Sequence, residues 1–299
     1  TGPTSSADAA DRPFLLLVRD RMLGTMPSLR ERRVGAAGIP AGGLELPWAH
    51  FQEQTSDWLE LAQSQHSMHA LLEVDVTEAR ALIRERRARS GRALSFTAYV
   101  VACFARAIAA DPRVGAVRHG RRKLLVFDSV DVALPVESEV EDEAIPVPHL
   151  VRGAERKSLE RISAEISAGA AGPVPYAAGR RRMGLWVRLP GRLRRTLLRL
   201  ILSDGRRRKR LMGTTLVTAV GLPGRGRAWG LPNGSSYPLA LVIGGLRLGD
   251  DGREHVALTV TFDHDTVNGA PAARFLRRFA RSLERGEPFR DEEPSVTQP

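Results

Sequence analysis

The residues most suggestive of chemistry lie in the segment TFDHDTVNGAPAARFL, residues 261–276. His264 stands there between two aspartates, four residues before Asn268. The apolar, β-branched run 256–262 predicts a buried strand, and apolar residues at helical spacing over 271–283 predict an amphipathic helix. The pattern places an imidazole, which gains or loses a proton near neutral pH, where a strand ends. Taken alone, a histidine near a turn is most often a surface or hydrogen-bonded residue.

Other chemistry-bearing patterns are weaker. His66 and His69 have a helical metal-ligand spacing, but on the strand predicted there the two rings point to opposite faces. The glycines of GLPGRGRAWG match neither a dinucleotide fingerprint nor a P-loop, and no Gly-x-Ser-x-Gly elbow occurs. We expect no metal site and no serine hydrolase.

The elements that must position His264 mix strands and helices without a regular βαβ rhythm. Strand character occurs in MHALLEVDVT, LLVFDSVDVALPVES, EAIPVPHLV, GTTLVTAVGL, LALVIGGLRL and HVALTVTF. Helices are predicted over 48–61, 78–89 (with Thr77 as N-cap), 95–109 and 157–168. This order predicts an α+β fold, a large mixed sheet with helices packed on it.

Composition indicates a globular protein of the reducing cytoplasm. The single cysteine, Cys103, lies in an apolar stretch and offers no disulfide framework. The sequence shows neither a signal-peptide pattern nor an apolar run long enough to span a bilayer.

Five segments in order resemble the catalytic domain of the dihydrolipoamide acyltransferases of 2-oxoacid dehydrogenase complexes. They are LLEVDVTEARALIRER, LSFTAYVVACFARAIAADPRV, VDVALPVESEVEDEAIPVPHLVRGAERKSLERISAEI, GTTLVTAVGL and FDHDTVNGAPAARFL. The resemblance covers residues 66–286 and implies the chloramphenicol acetyltransferase-like fold. The family motif Asp-His-Arg-x-x-Asp-Gly stands here as residues 263–269, DHDTVNG.

The resemblance implies an acyltransferase that uses acyl-coenzyme A as substrate. His264 would be the general base that takes the proton of a thiol, amine or hydroxyl acceptor. Thr218 would donate a hydrogen bond to the tetrahedral oxyanion, and Asn268 would orient the motif loop. The binding residues for coenzyme A are not identified by the sequence.

Two departures from the family motif leave a second interpretation of the function open. Asn268 stands where the family has an aspartate that pairs with an arginine preceding the first strand, and residues 34–78 contain no lysine or arginine. Asp265 replaces the arginine that follows the histidine. The alternative to an enzyme is a non-catalytic assembly or scaffold protein that keeps the trimeric fold.

The lysines bear on the protein's context. Only Lys123, Lys157 and Lys209 are present, and none lies in a hairpin turn suited to a lipoyl group. We therefore expect a stand-alone acyltransferase with no covalent lipoyl group, to which any lipoyl domain or other carrier comes from another chain.

The predicted layout is a disordered N-terminus (1–12), an N-terminal extension packed on the core (13–65), the acyltransferase domain (66–286) and a disordered tail (287–299). The domain carries a basic insertion over 180–210, with thirteen basic residues and one acid for a net charge of +12. The whole chain carries +11, so the other residues sum to −1.

The insertion is predicted to contain a helix with Leu193, Leu197, Leu200 and Ile201 on one side and Arg192, Arg195 and Arg199 on the other. Three roles are open for this helix. It packs on its own body or on a neighbouring subunit, or it docks an acidic carrier protein, a lipoyl domain or the phosphates of coenzyme A. The third alternative is that it lies on a membrane surface. Nucleic acid is disfavoured, because one aromatic residue accompanies the arginines and no recognition motif is present. By resemblance we expect a homotrimer. We expect no larger cage, because the tail has little to bury.

Overall fold

A computed structural model describes residues 50–91, 94–140, 143–171, 186, 188–220, 228–232 and 234–290. Its strands are β1 (Ser67–Asp75), β2 (Val117–His119), β3 (Lys123–Leu125), β4 (Val132–Val140), β5 (Glu143–Val151), β6 (Thr215–Ala219), β7 (Leu239–Leu248) and β8 (Glu254–Asp263). Its α-helices are α1 (His50–Ala62), α2 (Thr77–Ser90), α3 (Phe96–Ala110), α4 (Leu159–Ala171), α5 (Gly191–Ser203), α6 (Gly205–Met212), α7 (Gly269–Glu284) and α8 (Glu287–Arg290). Short 3-10 turns cover Pro112–Gly115 and Ala154–Arg156.

Six strands form one mixed sheet in the order β1-β8-β7-β6-β4-β5. The β6 strand runs parallel to both β4 and β7, and every other neighbouring pair is antiparallel. The α+β mixed sheet predicted from the sequence is therefore confirmed. The remaining strands, β2 and β3, make a separate two-stranded hairpin.

The main core lies between one face of the sheet and helices α3 and α7. Helix α3 is apolar almost all round, and its residues from Ala98 to Ala105 are all buried, as expected for a helix enclosed on every side. Ser95 caps its N-terminus by accepting a hydrogen bond from the Ala98 N–H. Phe262 of β8 and Phe275 of α7 pack edge to face in this core and so join the end of β8 to the helix that follows it.

The opposite face of the sheet is covered at β6 and β7 by α1, α5 and α6. Helices α1 and α5 are joined by a buried ion pair, in which Arg194 Nε donates to Asp57 Oδ2 at 2.6 Å. Arg194 Nη2 also donates to Glu53 at 2.6 Å, and Arg195 contacts Asp57 and Glu60. The described part of the basic insertion is thus fixed to the body of the protein.

Three details differ from the sequence predictions. Thr77 is not an N-cap, because it lies inside α2 and its hydroxyl donates to Asp75 Oδ1. On α5, Leu193 and Leu200 are 45% and 63% exposed, whereas Arg195 turns toward the acids of α1. The predicted tail begins too early, because Phe289 of α8 is buried and stacks on Tyr99.

Several predicted segments fall wholly or partly outside the described residues, namely 1–12, most of 13–65, part of 180–210 and 291–299. No helix among the described residues is both long and apolar enough to cross a bilayer.

Candidate active site

His264 lies on a short turn between β8 and α7. Its backbone N–H donates to the His66 carbonyl oxygen at 2.8 Å, which fixes the backbone of the turn against the residue that precedes β1. The residue is exposed, and its ring makes no hydrogen bond to any residue that the structure describes. The imidazole is therefore held at the end of a rigid strand and is free to meet a reactant.

The turn is organised by Asp263, which is 3% exposed. Its side-chain Oδ1 accepts from the Asp265 N–H at 3.1 Å, and its carbonyl oxygen accepts from the N–H groups of Thr266 and Val267. Burial raises the pKa of the Asp263 carboxyl, while the Asp265 N–H and the charges of Arg118 and Arg208 oppose that shift. Asp263 thus fixes the backbone on both sides of His264.

Asp265 forms an ion pair on the other side of the turn. Its Oδ2 accepts from Arg118 of β2 at 3.0 Å, and its Oδ1 lies 2.9 Å from Nδ1 of His66. The acid that replaces the family's arginine therefore has a cationic partner from a different strand. His69, the other histidine of the considered metal spacing, contacts Thr261 instead.

Arg208 of α6 approaches the same turn from the basic insertion. Burial lowers the pKa of its guanidinium, and the nearby Tyr237 and Asp263 oppose that shift. One of its Nη atoms is buried without a hydrogen-bond partner among the described residues. The insertion therefore places a positive charge behind the His264 turn.

Asn268 occupies the N-cap position of α7 in an extended conformation. Its carbonyl oxygen accepts from the Ala272 N–H at 3.2 Å, but its side chain makes no capping hydrogen bond. Within one chain, the loop geometry comes from Asp263, and the exposed Asn268 amide is left available to a partner or substrate.

Thr218 lies far from His264 in the same chain. Thr218 pairs with Val242 of β7, which pairs with Thr259 of β8, and His264 lies five residues beyond Thr259. At the usual rise per residue of a strand, the two residues are separated by roughly 17 Å along the sheet. A single chain therefore does not bring the predicted base and the predicted oxyanion donor together.

Thr218 lines a cavity of about 530 Å³ between β6, β7 and the helices α1, α5 and α6. Leu216 and Thr218 share the cavity face of β6, whereas Val217 points into the main core. The Thr218 hydroxyl makes no hydrogen bond within the described part of the chain. It is therefore free to donate to a bound molecule.

The described residues contain no group of three or more histidine, cysteine, aspartate or glutamate side chains placed to hold a metal ion. Cys103 is fully buried, and burial raises the pKa of its thiol to about 12. A thiol of that kind stays protonated at neutral pH and is a poor nucleophile.

No protein-family model matches the sequence, and no curated protein matches it. Solved structures do match in fold. A probable dihydrolipoamide acetyltransferase from Listeria monocytogenes superposes with a TM-score of 0.58 at 19% identity, over 87% of this chain and 99% of that one. A truncated catalytic core of the 2-oxoacid dehydrogenase complex from Thermoplasma acidophilum gives 0.57 at 20% identity, over 81% and 98%.

The dihydrolipoamide acetyltransferase of Azotobacter vinelandii gives a TM-score of 0.60 at 17% identity, over 87% of this chain and 96% of that one. Its structure was determined to define the roles of a serine, a histidine and an asparagine in its catalytic mechanism, and that asparagine follows the histidine by four residues. The fold predicted by resemblance to such catalytic cores is therefore confirmed.

The sequence did not identify Asp263, Arg118, His66 or Arg208 as parts of the site. A local signal existed for Asp263, since an aspartate two residues before a turn N–H commonly accepts from it. No local signal existed for Arg118 or His66, which lie 147 and 199 residues from Asp265 along the chain.

Proposed function

We propose that this protein is an acyltransferase that moves an acyl group between coenzyme A and a thiol, amine or hydroxyl acceptor. His264 is the general base, Thr218 is the oxyanion donor, and the protein works as a homotrimer in the cytoplasm. The observation that carries the proposal is the exposed imidazole of His264, which has no hydrogen-bond partner among the described residues and lies on a turn that Asp263 fixes by hydrogen bonds. The confirmed fold supports it, because the matched catalytic cores are acyltransferases.

The identity of Asn268 also supports an active site. The Azotobacter enzyme has an asparagine four residues after its histidine, the same spacing as His264 and Asn268. Asparagine at this position is therefore compatible with catalysis in this fold. We assign Asn268 to orienting the motif loop against a partner or substrate, since its side chain makes no capping hydrogen bond to α7 and contacts none of the described residues by a hydrogen bond.

The reaction follows from the chemistry of these groups. The imidazole of His264 removes the proton of the acceptor as the acceptor attacks the thioester carbonyl carbon. Thr218 donates a hydrogen bond to the oxygen that becomes negatively charged. The tetrahedral intermediate then collapses, the carbon–sulfur bond breaks, and the imidazolium returns its proton to the coenzyme A thiolate.

The positions of the two residues imply a site shared between chains. His264 and Thr218 lie near opposite ends of the sheet, so in one chain they cannot act on the same carbonyl. A cyclic homotrimer solves this by placing His264 of one copy beside Thr218 of the next. Each trimer then holds three equivalent sites.

The test is thiol release from acyl-coenzyme A with dihydrolipoamide, simple amines and alcohols as acceptors. His264→Ala should lower turnover by about 10²-fold or more, because it removes the base. The matched control is His66→Ala, which removes a neighbouring imidazole paired with the same turn and should change turnover by only a few fold.

Three outcomes would contradict the proposal in different ways. Equal loss in both variants would assign the effect to the turn rather than to the base. Loss in His66→Ala alone would make His66, with Asp265 beside it, the base. Failure of the wild-type protein to release thiol with any donor and acceptor would favour the non-catalytic scaffold.

A further inference from the structure

The cavity at Thr218 is an apolar chamber formed by strands and helices of the chain. Its floor is the outer face of β6 and β7, and its roof is formed by α1, α5 and α6. The walls are mainly large apolar side chains, including Trp58, Leu198, Ile201, Leu202, Leu216 and Val242. Its volume of about 530 Å³ falls in the range of small-molecule sites, which are concave and mostly apolar with a few fixed polar groups.

The polar groups in the chamber are nearly all engaged by the protein itself. The Tyr237 hydroxyl donates to the Met212 carbonyl at 3.1 Å, and the Ser235 hydroxyl accepts from the Tyr237 N–H at 3.0 Å. Ser236 donates to the Trp58 carbonyl at 3.5 Å. Thr218 alone among these lining side chains has a hydroxyl with no partner in the described residues. Since the walls are mainly hydrocarbon, a ligand that fits should offer an acceptor at Thr218 and be mostly hydrocarbon elsewhere.

The chamber is open where Leu59 and Leu211 stand 48% and 59% exposed. Arg207 lies one helical turn before Leu211 on α6, and Arg210 is its neighbour in sequence. Both arginines are exposed. Residues four apart on a helix are neighbours, so Arg207 should lie beside Leu211 at the opening, where a cation attracts the anionic end of an amphiphile.

We propose that this chamber binds the hydrocarbon chain of a fatty acyl thioester, with the carbonyl at Thr218 and the anionic carrier group at Arg207 and Arg210. The inference rests on the proposed function only in placing the thioester carbonyl at Thr218. It makes the acyl donor a medium- or long-chain acyl-coenzyme A. The described part of the basic insertion then has two roles, because α5 and α6 supply both apolar walls and a cationic mouth.

The first measurement is binding without turnover. A fluorescent fatty acid is displaced from the wild-type protein by butyryl-, octanoyl-, dodecanoyl- and palmitoyl-coenzyme A. Because burial of each methylene is favourable, affinity should rise by about three- to fourfold per methylene until the chamber is full. Affinity independent of chain length, as expected if a neighbouring copy fills the chamber, would overturn the proposal.

The second measurement uses a matched pair on α5. Leu198→Trp places an indole inside the chamber, whereas Leu200→Trp places it on the 63% exposed side of the same helix. Leu198→Trp should abolish the dependence on chain length beyond butyryl and leave short donors unaffected, and Leu200→Trp should change neither. Identical behaviour of the two variants would overturn the proposal. Ala240→Leu, which fills the floor from β7, gives the same readout if Leu198→Trp does not fold.

The same donor series separates this inference from the proposed function. Binding that depends on chain length without any acyl transfer would support the chamber and refute the acyltransferase. Transfer from acetyl-coenzyme A with no gain for longer chains would support the acyltransferase and refute the chamber.

Discussion

His264 and Asp263 are adjacent in sequence and have opposite environments. The imidazole is exposed, whereas the carboxyl is 3% exposed and binds the backbone of the turn. A general base has to reach its reactant, and its position must also be fixed closely. In the proposed site, the exposed His264 meets the first requirement and the buried Asp263 meets the second. Two neighbouring residues can do so because successive side chains at the end of a strand point to opposite faces.

Substitution of Asp263 tests its role in positioning His264. Asp263→Ala should lower turnover by about 10²-fold, because the turn loses the acceptor of the Asp265 N–H and the imidazole is displaced. The decrease should appear mainly in kcat, with the KM of the acyl donor little changed. Turnover at the wild-type level in Asp263→Ala would show that the remaining backbone hydrogen bonds suffice.

Asp263→Asn is the conservative control, since an amide oxygen still accepts the N–H and only the charge is removed. Its turnover should stay within a few fold of wild type. Because burial raises the pKa of Asp263, the folded protein holds this proton more tightly than the unfolded chain. Its contribution to stability is present at low pH and is lost as the pH rises through the raised pKa. Urea unfolding at several pH values should show this dependence in wild type and its absence in Asp263→Asn.

The residues of the site differ in how far sequence could identify them. The roles of His264 and Thr218 come from the resemblance to a known family, which rests on motifs and their order and needs no fold. The pairing of Asp265 with Arg118 could not be predicted from the sequence, because it requires β2 to lie beside the turn. Residues 34–78 contain no basic partner for the motif, and in the structure the basic groups near the turn come from β2 and α6 instead.

At the scale of elements, the strands and main helices were predictable, whereas the orientation of α5 was not. The sheet strands have β-branched apolar runs, and α3 has a clear serine cap and an apolar surface. The sequence predicts that Arg192, Arg195 and Arg199 lie on the side of α5 opposite its leucines. Acidic residues of α1 instead draw Arg194 and Arg195 inward, and periodicity of hydrophobic residues does not report such pairing.

Asp57 tests whether this ion pair holds α5 over the sheet. Asp57→Ala should lower the free energy of unfolding by about 2 kcal/mol, since the buried Arg194 loses the carboxylate that its Nε contacts while Glu53 remains. Urea denaturation measures the change. The matched control is Glu85→Ala, which breaks an exposed pair with Arg89 on α2 and should cost less than about 0.5 kcal/mol. Equal effects would show that the Asp57 pair contributes no more than a surface pair.

At the scale of the whole molecule, the sheet order separates His264 from Thr218. Two strands that are antiparallel to each other, β6 and β8, carry the two residues at their C-terminal ends, with β7 between them. Antiparallel strands run in opposite directions, so their carboxyl ends lie at opposite ends of the sheet, measured along the strands. The β7 pairing holds the two residues apart, so the proposed roles of His264 and Thr218 require a second copy of the chain.

Mixed trimers test this requirement directly. His264→Ala and Thr218→Ala chains are co-expressed with different tags, and trimers containing both are isolated. Each variant alone should have lost about 10²-fold of the activity. In each mixed trimer, one of the three sites should combine an intact His264 from one chain with an intact Thr218 from the next, so about a third of the activity returns. Trimers that mix His264→Ala with the doubly substituted chain are the control and should stay inactive.

The mixed-trimer experiment assumes that the wild-type protein is a trimer. Light scattering should therefore give a mass of three chains. A monomer with full activity would contradict the shared site, because one chain cannot place both residues on one carbonyl. Wild-type activity in Thr218→Ala alone would place the oxyanion donor elsewhere, and mixed trimers that remain inactive would contradict a site shared between chains. A shared site would make trimer formation a condition of catalysis, so activity should fall on dilution together with the trimer fraction.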